Sequence, residues 1–190
     1  MSLSALMNGV VEFAADRIVN DAGRPVPSRI LRYHGVLPHD CCTEEGFLAI
    51  HWLDGRASTD GSLTSSATTK NDPCSARPTV TLVVRYVICW PEPKLVDGLP
   101  VIDDAYDTEV NAKAGMLADV EDVLVREFLG LTCSRPNLAD PLVDDPTKAI
   151  WRNIAGTSLR FLDASPILPL GKCAGVQWRL NVASLPGPVS

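Results

Sequence analysis

The sequence predicts an α+β fold with a mainly antiparallel sheet and a long hairpin, flanked by two main helices. Three observations carry that prediction. Two stretches, Leu3–Ile18 and Asp103–Gly130, repeat apolar residues at three- and four-residue steps, the period of a helix with one buried stripe. Three others, Gly46–Asp54, Thr79–Trp90 and Ala174–Val182, alternate in polarity or are dense in β-branched and aromatic residues, as strands are. Helices and strands are segregated along the chain rather than alternating, which favours α+β over a parallel α/β design. A chain of 190 residues reads as one domain over 1–190.

In chain order, Ser4 is a candidate N-cap for the first helix. Leu6, Val10, Phe13, Ala14, Arg17 and Ile18 form its stripe, with Leu3 and Met7 beside it. Asp21-Ala22-Gly23, then Pro25 and Pro27, stop it. Ser28–Gly35 alternates weakly and reads as a short strand. Gly46–Asp54 sets Phe47, Ala49, His51 and Leu53 against Leu48, Ile50 and Trp52. Both faces are apolar, so this strand is covered on both sides or packs at a subunit boundary. Gly55–Arg77 is rich in Ser, Thr, Gly and Asp and reads as the long polar tip of a hairpin.

Thr79–Trp90 is the strongest strand, ended by Pro91 and Pro93. Asp103-Asp104 then opens a helix of about seven turns. Tyr106, Val110, Ala114, Leu117, Val120, Leu124 and Phe128 are its stripe, and Gly130 is its natural stop. The chain is loop-like from Cys133 to about Thr147. Thr157–Asp163 reads as strand, Ala164–Lys172 as loop, Ala174–Val182 as the last strand, and 186–190 as a loose tail.

Composition excludes several functions. Hydrophobic residues at 46% and charged residues at 21% allow a real core and argue against disorder. The net charge of −6 and the scattered basic residues leave no stripe for gripping nucleic acid. No basic-then-apolar leader opens the chain, and Arg85 breaks its most apolar run, so a cytoplasmic product with no membrane span is expected. Six cysteines would be reduced there. A product that later leaves the cell can form disulfides, among 15 possible pairings. Cys89 and Cys133 read as small buried hydrophobes.

Candidates for chemistry are few. His34, His39, Cys41, Cys42 and His51 include zinc-type donors, but adjacent Cys41-Cys42 replaces the usual paired spacing. A cysteine–histidine nucleophile lacks any local signature. Neither a serine elbow nor a phosphate loop is present. Asp103-Asp104 and Asp144-Asp145 are neighbours that point apart, and the first pair suits a helix start. Trp52, Trp90, Trp151 and Trp178 fit core or interface roles. No catalytic, cofactor-binding or metal-binding residue is assigned, and no cofactor is expected.

The cysteine-bearing pieces also occur in a definite order. Asp40-Cys41-Cys42 precedes Phe47-Leu48-Ala49-Ile50, and Cys74 lies in the polar loop. Arg85-Tyr86-Val87-Ile88-Cys89-Trp90-Pro91 ends the main strand, and Gly98-Leu99-Pro100 precedes the second helix. Cys133 follows that helix, and Gly171-Lys172-Cys173-Ala174-Gly175-Val176-Gln177-Trp178 carries glycine, cysteine and glycine in a strand with a tryptophan. This order, over Pro27–Val182, resembles the tail terminators (head-to-tail connectors) of long-tailed phages of actinobacteria. The chain departs from that pattern in the enlarged loop Gly55–Arg77 and in a longer Asn137–Ala155 segment.

The resemblance implies a fold similar to the lambda-type tail terminator and a structural, non-enzymatic role. It implies a homohexameric ring that ends the tail tube in the virion neck, assembled in the host cytoplasm. Its partners would be the major tail tube protein on one face and the head-side connector or stopper on the other. DNA would pass through the lumen without being read, and no membrane would be involved. Two alternatives stand beside it: another neck protein, such as a head-closure or stopper ring, and a small cytoplasmic metal- or thiol-dependent protein using His34–Cys42.

Overall fold

The strand at Arg77–Cys89 lies at the centre of the sheet. A computed structural model describes residues 3–33, 46–58, 77–133, 157–170 and 172–184. Within them the order is α1 (Leu3–Asn20), β1 (Arg29–Arg32), β2 (Phe47–Ser58), β3 (Arg77–Cys89), β4 (Lys94–Val96), β5 (Leu99–Val101), α2 (Asp104–Cys133), β6 (Thr157–Leu170) and β7 (Cys173–Ser184). Five strands form one sheet in the order β1-β2-β3-β7-β6, and β4 and β5 form a separate two-stranded ribbon. All pairs are antiparallel except β1 with β2. The fold is therefore α+β with a mixed, mostly antiparallel sheet and two main helices.

Period-two alternation aligns the side chains of one sheet face into rows. Leu48, Tyr86 and Val176 are opposite one another, as are Ile50, Val84 and Trp178, then Trp52, Leu82 and Leu180. Helix α1 and the part of α2 from Leu117 onward bury their stripes on this face. Leu6, Val10, Phe13 and Ile18 of α1 join Val120, Leu124 and Phe128 of α2 in one core with those strands. Phe128 is its hub, with ring centroids 6.0 Å from Phe13, 6.5 Å from Phe161 and 6.5 Å from Trp178. Burying side chains of this size contributes about 1.5–3 kcal/mol each for Phe-sized groups.

Gly175 shows how closely β3 and β7 approach. A Cβ there would sit 2.2 Å from the Tyr86 carbonyl oxygen, so only glycine lets the strands meet in this register.

Several expected boundaries move. β2 and β3 pair from Gly55–Val80 out to Ser58–Arg77, so both ends of the expected 55–77 loop are strand; its tip lies outside the described residues. Helix α2 runs through Gly130 to Cys133. Gly130 is exposed, and a glycine inside a helix costs only about 1 kcal/mol, less than the burial of Phe128 and Leu131 on either side contributes. β6 continues from Asp163 to Leu170, where a loop was expected. It is an edge strand, so Pro166 removes no ladder donor that the sheet needs. The β4–β5 ribbon was not anticipated.

Candidate functional site

Two places in the described residues are chemically distinctive: a polar row on the second face of the sheet, and an exposed apolar arm formed by β4 and β5. The row begins on the same strands that build the core. Alternation sends Phe47, Ala49 and His51 of β2 to the face opposite the helices, with Arg85 of β3 and Gln177 of β7. Arg85 donates from Nη1 to the Tyr33 hydroxyl at 3.2 Å and from Nε to Gln177 Oε1 at 3.1 Å. Gln177 Nε2 in turn donates to Ser165 Oγ at 3.0 Å. One step along, Arg179 forms a two-pronged pair with Asp163, with Nε at 2.7 Å from Oδ1. That hydrogen bond holds the Asp163 carboxyl below its usual range, against a smaller opposing effect of burial.

His51 is buried in this row, and its ring lies 4.8 Å from that of Tyr33. Each long polar side chain is bonded to the strand next door, which is how a half-buried sheet face satisfies its polar groups. The row is thus a set of cross-strand ties.

The arm starts where β3 ends. Lys94–Val96 and Leu99–Val101 pair across Asp97-Gly98, both with positive φ, at 53° and 77°. Those angles make a two-residue turn of the kind that an Asp-Gly dipeptide favours. Unlike the inner strands β2, β3 and β7, this ribbon buries nothing: Leu95 is 69% exposed, Leu99 70% and the following Ile102 68%. Asp103 then caps α2, accepting a hydrogen bond from the Tyr106 amide at 2.8 Å, and lies 3.8 Å from Lys94. The cap role expected for Asp103 is present, and the acids of the first turn suit the helix dipole. The first turns of α2 stay outside the core as well: Tyr106 and Val110 are half-buried and Ala114 is exposed.

Of the other residues singled out in the sequence, His34, His39, Cys41, Cys42, Cys74, Asp144, Asp145 and Trp151 lie outside the described residues. His51 alone of the histidine–cysteine cluster is described. Among the described residues no group of His, Cys, Asp and Glu is arranged to hold a metal. Cys89 is half-buried in β3, opposite Cys173 in the register. Cys133 corrects an expectation: it is the last residue of α2 and exposed, a free thiol rather than a buried hydrophobe. Cys173 is disulfide-bonded, and neither Cys89 nor Cys133 is its partner. Trp178 is fully buried in the core, with Trp52 and Trp90 packed against it. No described helix is long and apolar enough to cross a membrane.

The arm was missed in the sequence, although its signal was present. Asp97-Gly98 flanked by Leu95-Val96 and Leu99 is a strong short-range hairpin pattern. Pro91 and Pro93 read only as the end of the preceding strand, and Gly98-Leu99-Pro100 only as the approach to the second helix. A scan against protein-family models and a search of curated proteins find no match to this chain.

Proposed function

We propose that this chain is a structural subunit of a phage particle, a tail terminator that closes as a hexameric ring on the end of the tail tube and meets the head-side connector. The observation that carries the assembly part of this reading is the arm. Apolar side chains held in an ordered ribbon and left in water are a feature of interaction surfaces. The order of the cysteine-bearing motifs, from Asp40-Cys41-Cys42 to Gly171–Trp178, supports the phage part. The reading makes the polar row a stiffener of the sheet and assigns no catalytic residue.

The mechanism is steric. A tube that grows by head-to-tail contacts does not close on itself, so it ends when a ring binds whose outer face no further tube subunit fits. Electron microscopy of particles and of the concentrated protein tests this directly. Six-fold rings between tube and connector are expected. A twelve-fold ring directly beneath the portal would reassign the chain to the upper connector, and a monomer absent from particles would overturn the structural reading.

A further inference from the structure

A second exposed surface has the opposite charge to the arm. Between Ala22 and Tyr33 the chain contains three arginines and no acid. Arg24 is spent on an ion pair with Asp119. Arg29 and Arg32, on the edge strand β1, are exposed and join no ion pair among the described residues. Beside them Val26 is 62% exposed and Ile30 42% exposed. This edge is apolar and basic. The arm is apolar and acidic: Asp104 and Asp107, in the first turn of α2, are exposed and likewise unpaired among the described residues.

We propose that the arm of one subunit straddles the β1 edge of a second copy of the chain: Leu95 and Leu99, on the two faces of the ribbon, and Ile102 cover Val26 and Ile30, while Asp104 and Asp107 meet Arg32, on the sheet face of Ile30, and Arg29, on the other. This deepens the ring reading and rests on it. The two patches are different surfaces of one chain, so the contact is head-to-tail, and such contacts generate rings when the rotation closes. Removing the apolar groups from water drives the association, and the charges fix the register and disfavour other pairings. The short β1 leaves the arm a narrow target: it pairs with only Phe47–Ile50 of β2.

The test is a charge exchange in the full chain, read by mass photometry and sedimentation velocity. Arg29→Glu with Arg32→Glu is expected to weaken assembly at least about tenfold, and so is Asp104→Arg with Asp107→Arg, because each places like charges face to face. Mixing the two variants restores both kinds of contact in an alternating ring, which six subunits permit, so assembly returns only in the mixture. Leu95→Ser with Leu99→Ser removes the apolar part without touching the helix start, and is also expected to yield monomers with an unchanged circular dichroism spectrum. Wild-type rings that persist in all three variants overturn the contact and leave the ring standing, with the arm facing another partner. A wild-type chain that stays monomeric at every concentration overturns the ring and the contact together.

Discussion

The two halves of α2 have the same apolar rhythm and opposite surroundings. From Leu117 onward, Val120, Val123, Leu124, Phe128 and Leu131 are buried, the innermost of them against α1 and the sheet. Before Leu117 the same spacing continues through Tyr106, Val110 and Ala114, yet none of these is buried. A helix of 30 residues is about 45 Å long, and here only its second part is covered by its own chain. The difference teaches that an apolar stripe fixes which side of a helix seeks cover and leaves open what provides it. In the second half the cover is intramolecular; the first half, continuous with the β4–β5 ribbon, belongs to the surface proposed above to meet a second copy.

The largest expected effect would break this comparison if it failed. Phe128→Ala removes the ring that touches Phe13, Phe161 and Trp178 and is expected to destabilise the subunit by about 3–5 kcal/mol. Val110→Ala, on the same stripe, is expected to change the stability of the isolated subunit by less than about 0.5 kcal/mol. Urea titrations of both variants measure the contrast. Equal losses would mean that the first half of α2 is core after all.

The contrast also shows what the sequence makes legible. Alternation in β2 predicted which of its residues share a face, because successive side chains of a strand point to opposite sides of the sheet. The departures have local causes. In β2 a bulge lies between Trp52 and Asp54, and Leu53 is left 56% exposed. In β6, Pro166 signalled a loop, but the edge position tolerates it, and the Phe161 amide donates to Thr132 Oγ1 of α2 at 2.9 Å. Gly130 signalled a helix end, and the burial around it overrode that preference. Of the candidate surface, the Asp97-Gly98 turn was readable. Its exposure was not, since the letters Leu95-Val96 and Leu99 look the same in a core strand. The Arg85–Gln177–Ser165 row was equally hidden, because its members come from strands far apart in sequence.

A smaller effect sharpens the comparison at the arm itself. Asp103 supplies the side-chain acceptor for the first turn of α2, and losing such a cap costs about 0.5–2 kcal/mol. If the first half of α2 is held only by its own hydrogen bonds, Asp103→Ala should fray it locally while the core stays intact. Hydrogen exchange should quicken over residues 104–114 and remain unchanged over 117–131. Uniformly faster exchange through both halves would mean that the arm and the core unfold as one unit.

The smallest expected effect lies on the second face of the sheet, where Asp163 and Arg179 tie β6 to β7. Both side chains are substantially exposed, so the pair contributes at most about 1 kcal/mol. Arg179 holds the Asp163 carboxyl below its ordinary value. A carboxyl whose folded pKa is depressed stabilises the fold above its unfolded pKa, and that stabilisation is lost as pH falls through the folded value. Arg179 is itself held above its ordinary value by the Asp163 hydrogen bond and stays charged throughout this range. Asp163→Asn should therefore lower stability slightly at pH 7 and match the wild type once the pH is well below about 3.9, the ordinary carboxylate value. Denaturation curves across that window give the sign. A gap between variant and wild type that widened toward acid would mean that the ladder, and not the charge, is what Asp163 supports.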